Sequence, residues 1–127
     1  MIDALFNQTN YVAAKRLLDV TALRHEAISS NLANVETPHY QRLDVSPNFK
    51  AELRQAVEGR DVTRLAGLRP EVAVDSQAVS NRRDGNTVQL ERELLELNQN
   101  ALEHSLETQL LTGTLLRLRL AITGRPV

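Results

Sequence analysis

A chain of 127 residues is the size of one domain, and its 15 Lys and Arg nearly cancel its 16 Asp and Glu, leaving a net charge of −1. That balance, with no block of like charge, argues against nucleic-acid binding or a polybasic membrane patch. The absence of cysteine excludes disulfides and thiol nucleophiles, and two Phe and two Tyr are too few rings to build a core on, which favours long helices whose stability draws on association.

The N-terminal segment, residues 2–33, is expected to be a long helix. Leu5, Phe6, Val12, Ala13, Leu17, Val20, Leu23, Ala27 and Ile28 recur at helical spacing, and Tyr11, Leu18 and Leu32 broaden the stripe. Its opening lacks a basic start followed by an apolar run, so no cleavable secretory signal is expected. Toward its end the stripe shrinks to Ala27, Ser29, Ser30 and Ala33, small side chains that let a second helix come close.

The helix exit reads "ISSNLANVETPHYQR". Ser30, Asn31 and Asn34 lie where unpaired carbonyls need donors, and Asn34 can adopt the left-handed conformation that caps a helix. Thr37, preceding Pro38, is pushed toward extended geometry, and Tyr40 offers an amphipathic ring to anchor the returning chain. One reading is a capped helix that simply stops. The other is that two amides so close together exceed what one cap requires and form hydrogen bonds to another chain.

Residues 36–86 have little apolar patterning. A short helical piece is expected over 49–57 and a weak strand in "EVAVD"; the remainder reads as turns, a small appendage or a segment that orders only against partners.

Residues 88–122 form the second long helix, roughly 50 Å at 1.5 Å per residue. Leu90, Leu94, Leu97, Ala101, His104, Thr108, Leu111, Leu115, Leu118 and Ile122 keep alternating steps of four and three, a coiled-coil seam weakened at His104 and Thr108. Leu95, Leu102, Leu106, Leu110, Leu116 and Leu120 lie off this seam, so the helix is apolar on more than one face, as one surrounded by neighbours would be. An Asp84-Gly85 turn precedes it, with Asn86 or Thr87 as N-cap and Glu91 and Glu93 in or near the first turn. Gly124 and Pro126 close it, after Arg117 and Arg119.

The expected fold is mainly α. Segments 1–35 and 87–127 pack as an antiparallel coiled-coil-like hairpin, with an irregular or partly β middle over 36–86. Chemistry is not indicated. "HEAIS" begins like a zinc-protease helix, but Ser29 stands where the second histidine belongs, so His25 reads as a surface or interface residue. His104 reads as a polar interruption that fixes register, and His39 has no ligand partner nearby in sequence. No catalytic, cofactor-binding or metal-binding residues are expected.

Ser29, Asn31, Leu32, Ala33, Asn34, Thr37, Pro38 and Tyr40 match, in order, the helix-exit signature S-x-N-[LI]-A-N-x-x-T-P-G-[YF] of bacterial flagellar axial proteins. The likeness extends upstream into "ALRHEAISSN" and reappears in "DGNTVQLERELLELNQNALEHSLETQLLTG". The chain thus resembles the flagellar basal-body rod protein family, and in its C-terminal block and short length its proximal members. Where that family usually has glycine, this chain has His39.

The resemblance implies a structural subunit, exported unfolded by the flagellar type III apparatus without a cleaved signal. Such subunits assemble into a helical tube that transmits torque across the periplasm, the terminal helices forming its wall. It implies that the signature residues lie at subunit interfaces. Its implied partners are other copies of the chain, other rod proteins, the rod adaptor FliE, the inner-membrane ring and the export apparatus. The competing readings are a soluble helical adaptor or export-chaperone-like module and, more distantly, a metal-dependent enzyme using His25 and Glu26.

Overall fold

The computed structural model describes residues 9–124. The expectations for Leu5, Phe6 and Pro126 lie outside the described residues. The elements are α1 (Thr9–Ala33), β1 (Leu43–Val45), α2 (Pro47–Glu58), α3 (Val62–Gly67), β2 (Val72–Val74) and α4 (Leu90–Thr123). α1 and α4 run antiparallel. Asn31 near the end of α1 meets Glu93 at the start of α4, while Thr21 meets Asn100, His104 and Glu107 farther along. The mainly α hairpin with a partly β middle is therefore the observed architecture.

The apolar core lies on the other side of α1. Val12 and Val20 are buried against Val45, Phe49, Ala56, Leu65 and Leu68, with Tyr11, Ala13, Leu53 and Val62 packed around them. The middle of the chain is thus neither an appendage nor a segment waiting for a partner: it folds back on α1 and supplies most of the core. Few apolar residues suffice because they are well spaced. Phe49, Leu53 and Ala56 recur at i, i+4 and i+7, which places them on one face of α2.

Pro47 occupies the first turn of α2, where its missing N–H costs nothing. Asp61 caps α3, its carboxylate accepting the Arg64 N–H at 3.0 Å. At six residues, α3 is too short for periodicity to reveal. The strand expected in "EVAVD" is β2, which pairs antiparallel with β1 in the register Leu43↔Val74, Asp44↔Ala73 and Val45↔Val72.

α4 begins at Leu90 with Gln89 as N-cap, and no side-chain bond caps it there. Asn86 and Thr87 do not serve as caps. Glu91 and Glu93 do lie in the first turn. At the far end Gly124 takes φ +64°, and its N–H reaches the Leu120 carbonyl at 2.7 Å, the left-handed ending expected of it. Arg117 and Arg119 lie upstream of the last turn.

The placement of the core is testable. Leu65 is 0% exposed and Leu102 is 73% exposed. We predict that Leu65→Ala lowers unfolding stability by about 2–5 kcal/mol in urea titrations, and that Leu102→Ala stays within about 0.5 kcal/mol of the parent. Equal losses contradict this placement of the core.

Candidate functional site: the signature turn and the faces of α4

Asn31, the first amide of the signature, is fully buried. Its Nδ2 donates to the Leu43 carbonyl at 2.9 Å, and its Oδ1 accepts the Leu43 N–H at 2.9 Å. The side-chain amide therefore pairs with that peptide as a neighbouring strand would, closing the edge of β1 at this residue. Nδ2 also donates to Glu93 Oε2 at 3.2 Å.

Glu93 is 0% exposed, and its Oε1 accepts Arg42 Nε. Arg42 Nη1 continues to Asp75 at 2.8 Å and to Asp44 at 3.4 Å. The Arg42 backbone is held as well, its N–H by Thr87 Oγ1 at 2.7 Å and its carbonyl by the Asp75 N–H at 2.8 Å. Burial works against the Arg42 charge, but the bond to Glu93 and the charges of Glu93 and Asp44 outweigh it, so its pKa rises above the ordinary arginine value. The guanidinium of Arg42 is thus held by the Glu93 carboxylate where water is absent.

A second layer surrounds this knot. The Tyr40 hydroxyl lies 2.9 Å from Ser30 Oγ and 3.5 Å from Asn31 Oδ1, so the ring anchors the returning chain as the sequence suggests. Asn34 Nδ2 donates to the Ser30 carbonyl at 2.8 Å, and its Oδ1 accepts from Thr37 Oγ1 at 3.1 Å. Asn34 does not take the left-handed conformation open to it. Its side chain satisfies the open carbonyl directly, and the reversal falls at His39, with φ +60°.

His39 is the residue standing where the family has glycine, and the turn keeps the glycine-like backbone. Its N–H bonds the Asp84 carbonyl at 2.9 Å. Its ring lies over Gly85, where a Cβ would come within 2.8 Å of Nδ1; Gly85 is itself at φ +75°.

Asn86 explains why it caps nothing on α4. Its Nδ2 donates to the carbonyls of Asn34, Val35 and Thr37 at 2.8–3.1 Å, and its Oδ1 accepts the Val88 N–H at 2.7 Å. Arg82 reaches the Val35 carbonyl and Glu36, while the Thr87 N–H reaches the Tyr40 carbonyl at 3.1 Å. Residues 82–88 are thus wound onto the exit of α1. Of the two readings of these amides, the bonds seen for Asn31 and Asn34 lie within this chain and not to another. Ser29, Ala33, Thr37 and Pro38 remain exposed, and Leu32 is half-buried.

The seam of α4 is displaced from the expected one. Leu97, Leu111 and Leu118 are half-buried, but Leu90, Leu94, Ala101, Leu115 and Ile122 are exposed. The buried positions are Glu93 and Asn100, with Glu107 half-buried. Asn100 Nδ2 donates to the Thr21 carbonyl at 2.8 Å, and Asn100 Oδ1 has no partner among the described residues. Thr21 Oγ1 lies 3.1 Å from both His104 Nδ1 and Glu107 Oε2. Arg24 reaches Glu103 at 3.3 Å.

One residue of rotation separates the leucine phase from the observed one, and α1 decides between them. It presents Thr21, Arg24 and Asn31, which need polar partners. Burial raises the Glu107 pKa, aided by the charge of Glu103 and opposed by the Thr21 bond, His104 and Arg24. The leucines left over, among them Leu95, Leu102, Leu106, Leu110, Leu116 and Leu120, face outward.

No protein-family model matches the sequence. It is 31% identical over 115 residues to the flagellar basal body rod protein FlgB of Borrelia hermsii, an alignment covering 76% of this chain and 83% of that protein. Against FlgB of Escherichia coli K12 it is 30% identical over 112 residues, covering 76% and 80%. The chain belongs to the FlgB family of flagellar basal body rod proteins. FlgB of Cereibacter sphaeroides is 34% identical over 110 residues, covering 80% of this chain and 84% of that one.

Membership of the FlgB family makes the chain a structural protein of the rod and not an enzyme. His25 is an exposed residue of α1, as read from sequence. Among the described residues no group of three His, Cys, Asp or Glu is arranged to hold a metal, and no helix is long and apolar enough to cross a membrane. Arg42 and Glu93, the centre of the knot, were not singled out from sequence as partners. An arginine and a glutamate far apart in an evenly charged chain carry no local signal.

Two predictions follow from this geometry. Glu93→Ala strands the Arg42 charge and is expected to cost about 3–5 kcal/mol in urea unfolding, part of which Arg42→Met in the same chain recovers. Exposed Glu91→Ala serves as the control; a loss there as large as at Glu93 contradicts the knot. For Glu107 the raised pKa means that the fold favours the protonated form. Its contribution is best below the ordinary glutamate range and declines as pH rises through the folded value. Glu107→Gln keeps an acceptor for Thr21, so it should raise the neutral-pH melting temperature and flatten the pH dependence; a lower melting temperature contradicts this.

Proposed function

We propose that this chain is a subunit of the proximal flagellar rod, assembling with copies of itself and with other rod proteins into the torque-transmitting shaft that spans the periplasm. The observation that carries the reading is the inversion of α4. Its polar residues are turned inward onto α1 while a row of leucines is left exposed, a contiguous apolar face of the kind that marks an interaction surface. A head-to-tail contact through such a face does not close and generates a helical tube.

In this reading segments 1–35 and 87–127 form the tube wall and 36–86 is the variable part. Asn31, Asn34 and Tyr40 hold the turn, while Ser29, Leu32, Ala33, Thr37 and Pro38 lie at the subunit contact. Leu90, Leu94, Ala101, Leu115 and Ile122, left open by the hairpin, join the leucine row in packing against neighbours. A chain without cysteine carries no disulfide to obstruct passage, unfolded, through a narrow export channel. The adaptor FliE, the inner-membrane ring and the type III export apparatus are the partners this role entails.

Leu106→Asp tests the assignment. It sets a charge in the middle of the outward row without touching the core, and a buried unpaired charge is not tolerated in an assembled wall. We expect loss of swimming, with subunit still secreted and the circular dichroism of the free chain unchanged. Swimming cells would falsify the placement of this face at the subunit contact. Loss of secretion along with swimming would favour a helical adaptor acting before export.

A further inference from the structure

Thr21 lies in the middle of α1 and is 1% exposed, with three polar atoms around its hydroxyl. The Leu18 carbonyl, His104 Nδ1 and Glu107 Oε2 each stand 3.1 Å from Oγ1. A hydroxyl has one hydrogen to give and two lone pairs with which to accept. Only some placements of hydrogen on the three neighbours are therefore compatible with the geometry. His104 and Glu107 are three residues apart on α4, so both side chains reach the same point of α1.

The Leu18 carbonyl only accepts, and so does an ionised Glu107. His104 can do either: Nδ1 donates when it carries the ring hydrogen and accepts when that hydrogen is on Nε2. With Glu107 ionised and Nδ1 bare, Thr21 faces three acceptors with one hydrogen, and either the ring or the carboxylate is left against its lone pairs. With the hydrogen on Nδ1, the ring donates to Oγ1 and the hydroxyl hydrogen goes to the carboxylate. The Leu18 carbonyl loses nothing, because a carbonyl inside an α-helix already receives the N–H four residues on. Charging the ring adds a hydrogen at Nε2 and leaves Nδ1 a donor, so the same arrangement serves both forms.

Other neighbours do not decide the matter. Among the described residues no hydrogen bond reaches His104 Nε2, and the residue is exposed, so water serves that nitrogen. The charged groups facing Glu107 are Arg24 on α1 and Glu103 and His104 on α4. Arg24 is engaged by Glu103 at 3.3 Å and by Asp44 at 3.8 Å, and Thr21 is the residue that bonds the Glu107 carboxylate. We propose that His104 is a positioning residue held with its hydrogen on Nδ1, so that His104, Thr21 and Glu107 form a one-way chain from ring to hydroxyl to carboxylate. An unrestrained neutral imidazole side chain favours hydrogen on Nε2, and the hairpin selects the other form. The chain fastens α4 to α1 about three turns beyond Glu93. It belongs to the fold of the single subunit and does not rest on the rod reading.

The ring 15N shifts of the full-length, uniformly 15N-labelled protein read the tautomer. Spectra are taken at the alkaline end of a pH titration, where the shifts no longer move and the ring is neutral. Comparison with a His104→Gln variant assigns the signals. For His104 we expect the protonated-type shift at Nδ1 and the bare-type shift at Nε2. Exposed His25, which makes no hydrogen bond among the described residues, supplies the pattern of an unrestrained ring. A His104 pattern matching that of His25, or one with the hydrogen on Nε2, overturns the proposal.

Glu107→Gln distinguishes the chain from mere crowding of the ring. An amide donates as well as accepts, so Thr21 can turn its hydrogen to Nδ1, and the demand on the ring is lifted. The ratio of Nδ1–H to Nε2–H forms at His104 should fall at least about twofold in this variant. Glu103→Gln, which removes a neighbouring charge and leaves Thr21 untouched, should keep the parent ratio. An unchanged ratio in Glu107→Gln, or an equal fall in both variants, overturns the chain. Neither result bears on the rod reading, which is judged by swimming.

Discussion

The buried pair of Arg42 and Glu93 is the constraint on which the rest of the molecule depends. Arg42 follows the signature turn directly, and Glu93 lies in the first turn of α4, so their meeting brings the exit of one long helix to the entrance of the other. A charge without water is tolerable only beside its partner. The chain must therefore fold so that Asn31 fills Glu93's second oxygen while Asp75 and Asp44 accept from Arg42 Nη1. In this way one ion pair sets the position of β1, the end of β2 and the phase of α4. The two amides of the signature serve it. Asn31 holds the β1 edge in place, and Asn34 finishes α1 without requiring a left-handed residue at its own position.

The inward face of α4 follows from the same logic. Leucine packs against leucine in several registers at similar cost, whereas a buried amide or carboxylate accepts only the register that completes its bonds. Glu93 against Asn31 and Arg42, and Asn100, His104 and Glu107 against Thr21, define one alignment of the hairpin. Sliding α4 by a turn leaves each of these groups unpaired. The polar seam thus contributes specificity, and most of the apolar burial is supplied elsewhere, by α2, α3 and β1 on a neighbouring face of α1.

What was legible in the sequence is what depends on near neighbours. Helical spacing located both long helices and most of α2. The β-branched residues of "EVAVD" marked β2, and Gly124 announced the end of α4. The signature led to the family, and the substitution at position 39 pointed to the residue that carries the reversal. What was not legible depends on residues far apart in sequence. The leucine pattern of α4 supports two adjacent phases, and only Thr21, Arg24 and Asn31 on α1 choose between them. Asn86 looks like a cap because Asn before a helix usually is one; its true acceptors, the carbonyls of Asn34, Val35 and Thr37, lie some fifty positions back. The core escaped notice because its members are divided between α1 and a segment with little periodicity of its own.

Two adjoining faces of α1 are thus occupied, one by the apolar core and one by the polar seam. The flank of α1 left exposed carries Lys15, Asp19, His25 and Glu26, so the free apolar flank is that of α4, and the leucines turned away from the polar seam are the residues found there. An ordinary hairpin turns its leucines inward and has nothing left to offer a neighbour. Here the hairpin is closed by hydrogen bonds and charge, so its apolar surface remains available without any need for the subunit to open. A structural subunit gains from this separation: the contacts that define its own fold and those that join it to others draw on different chemistry. One set can therefore form first and remain intact while the other is made.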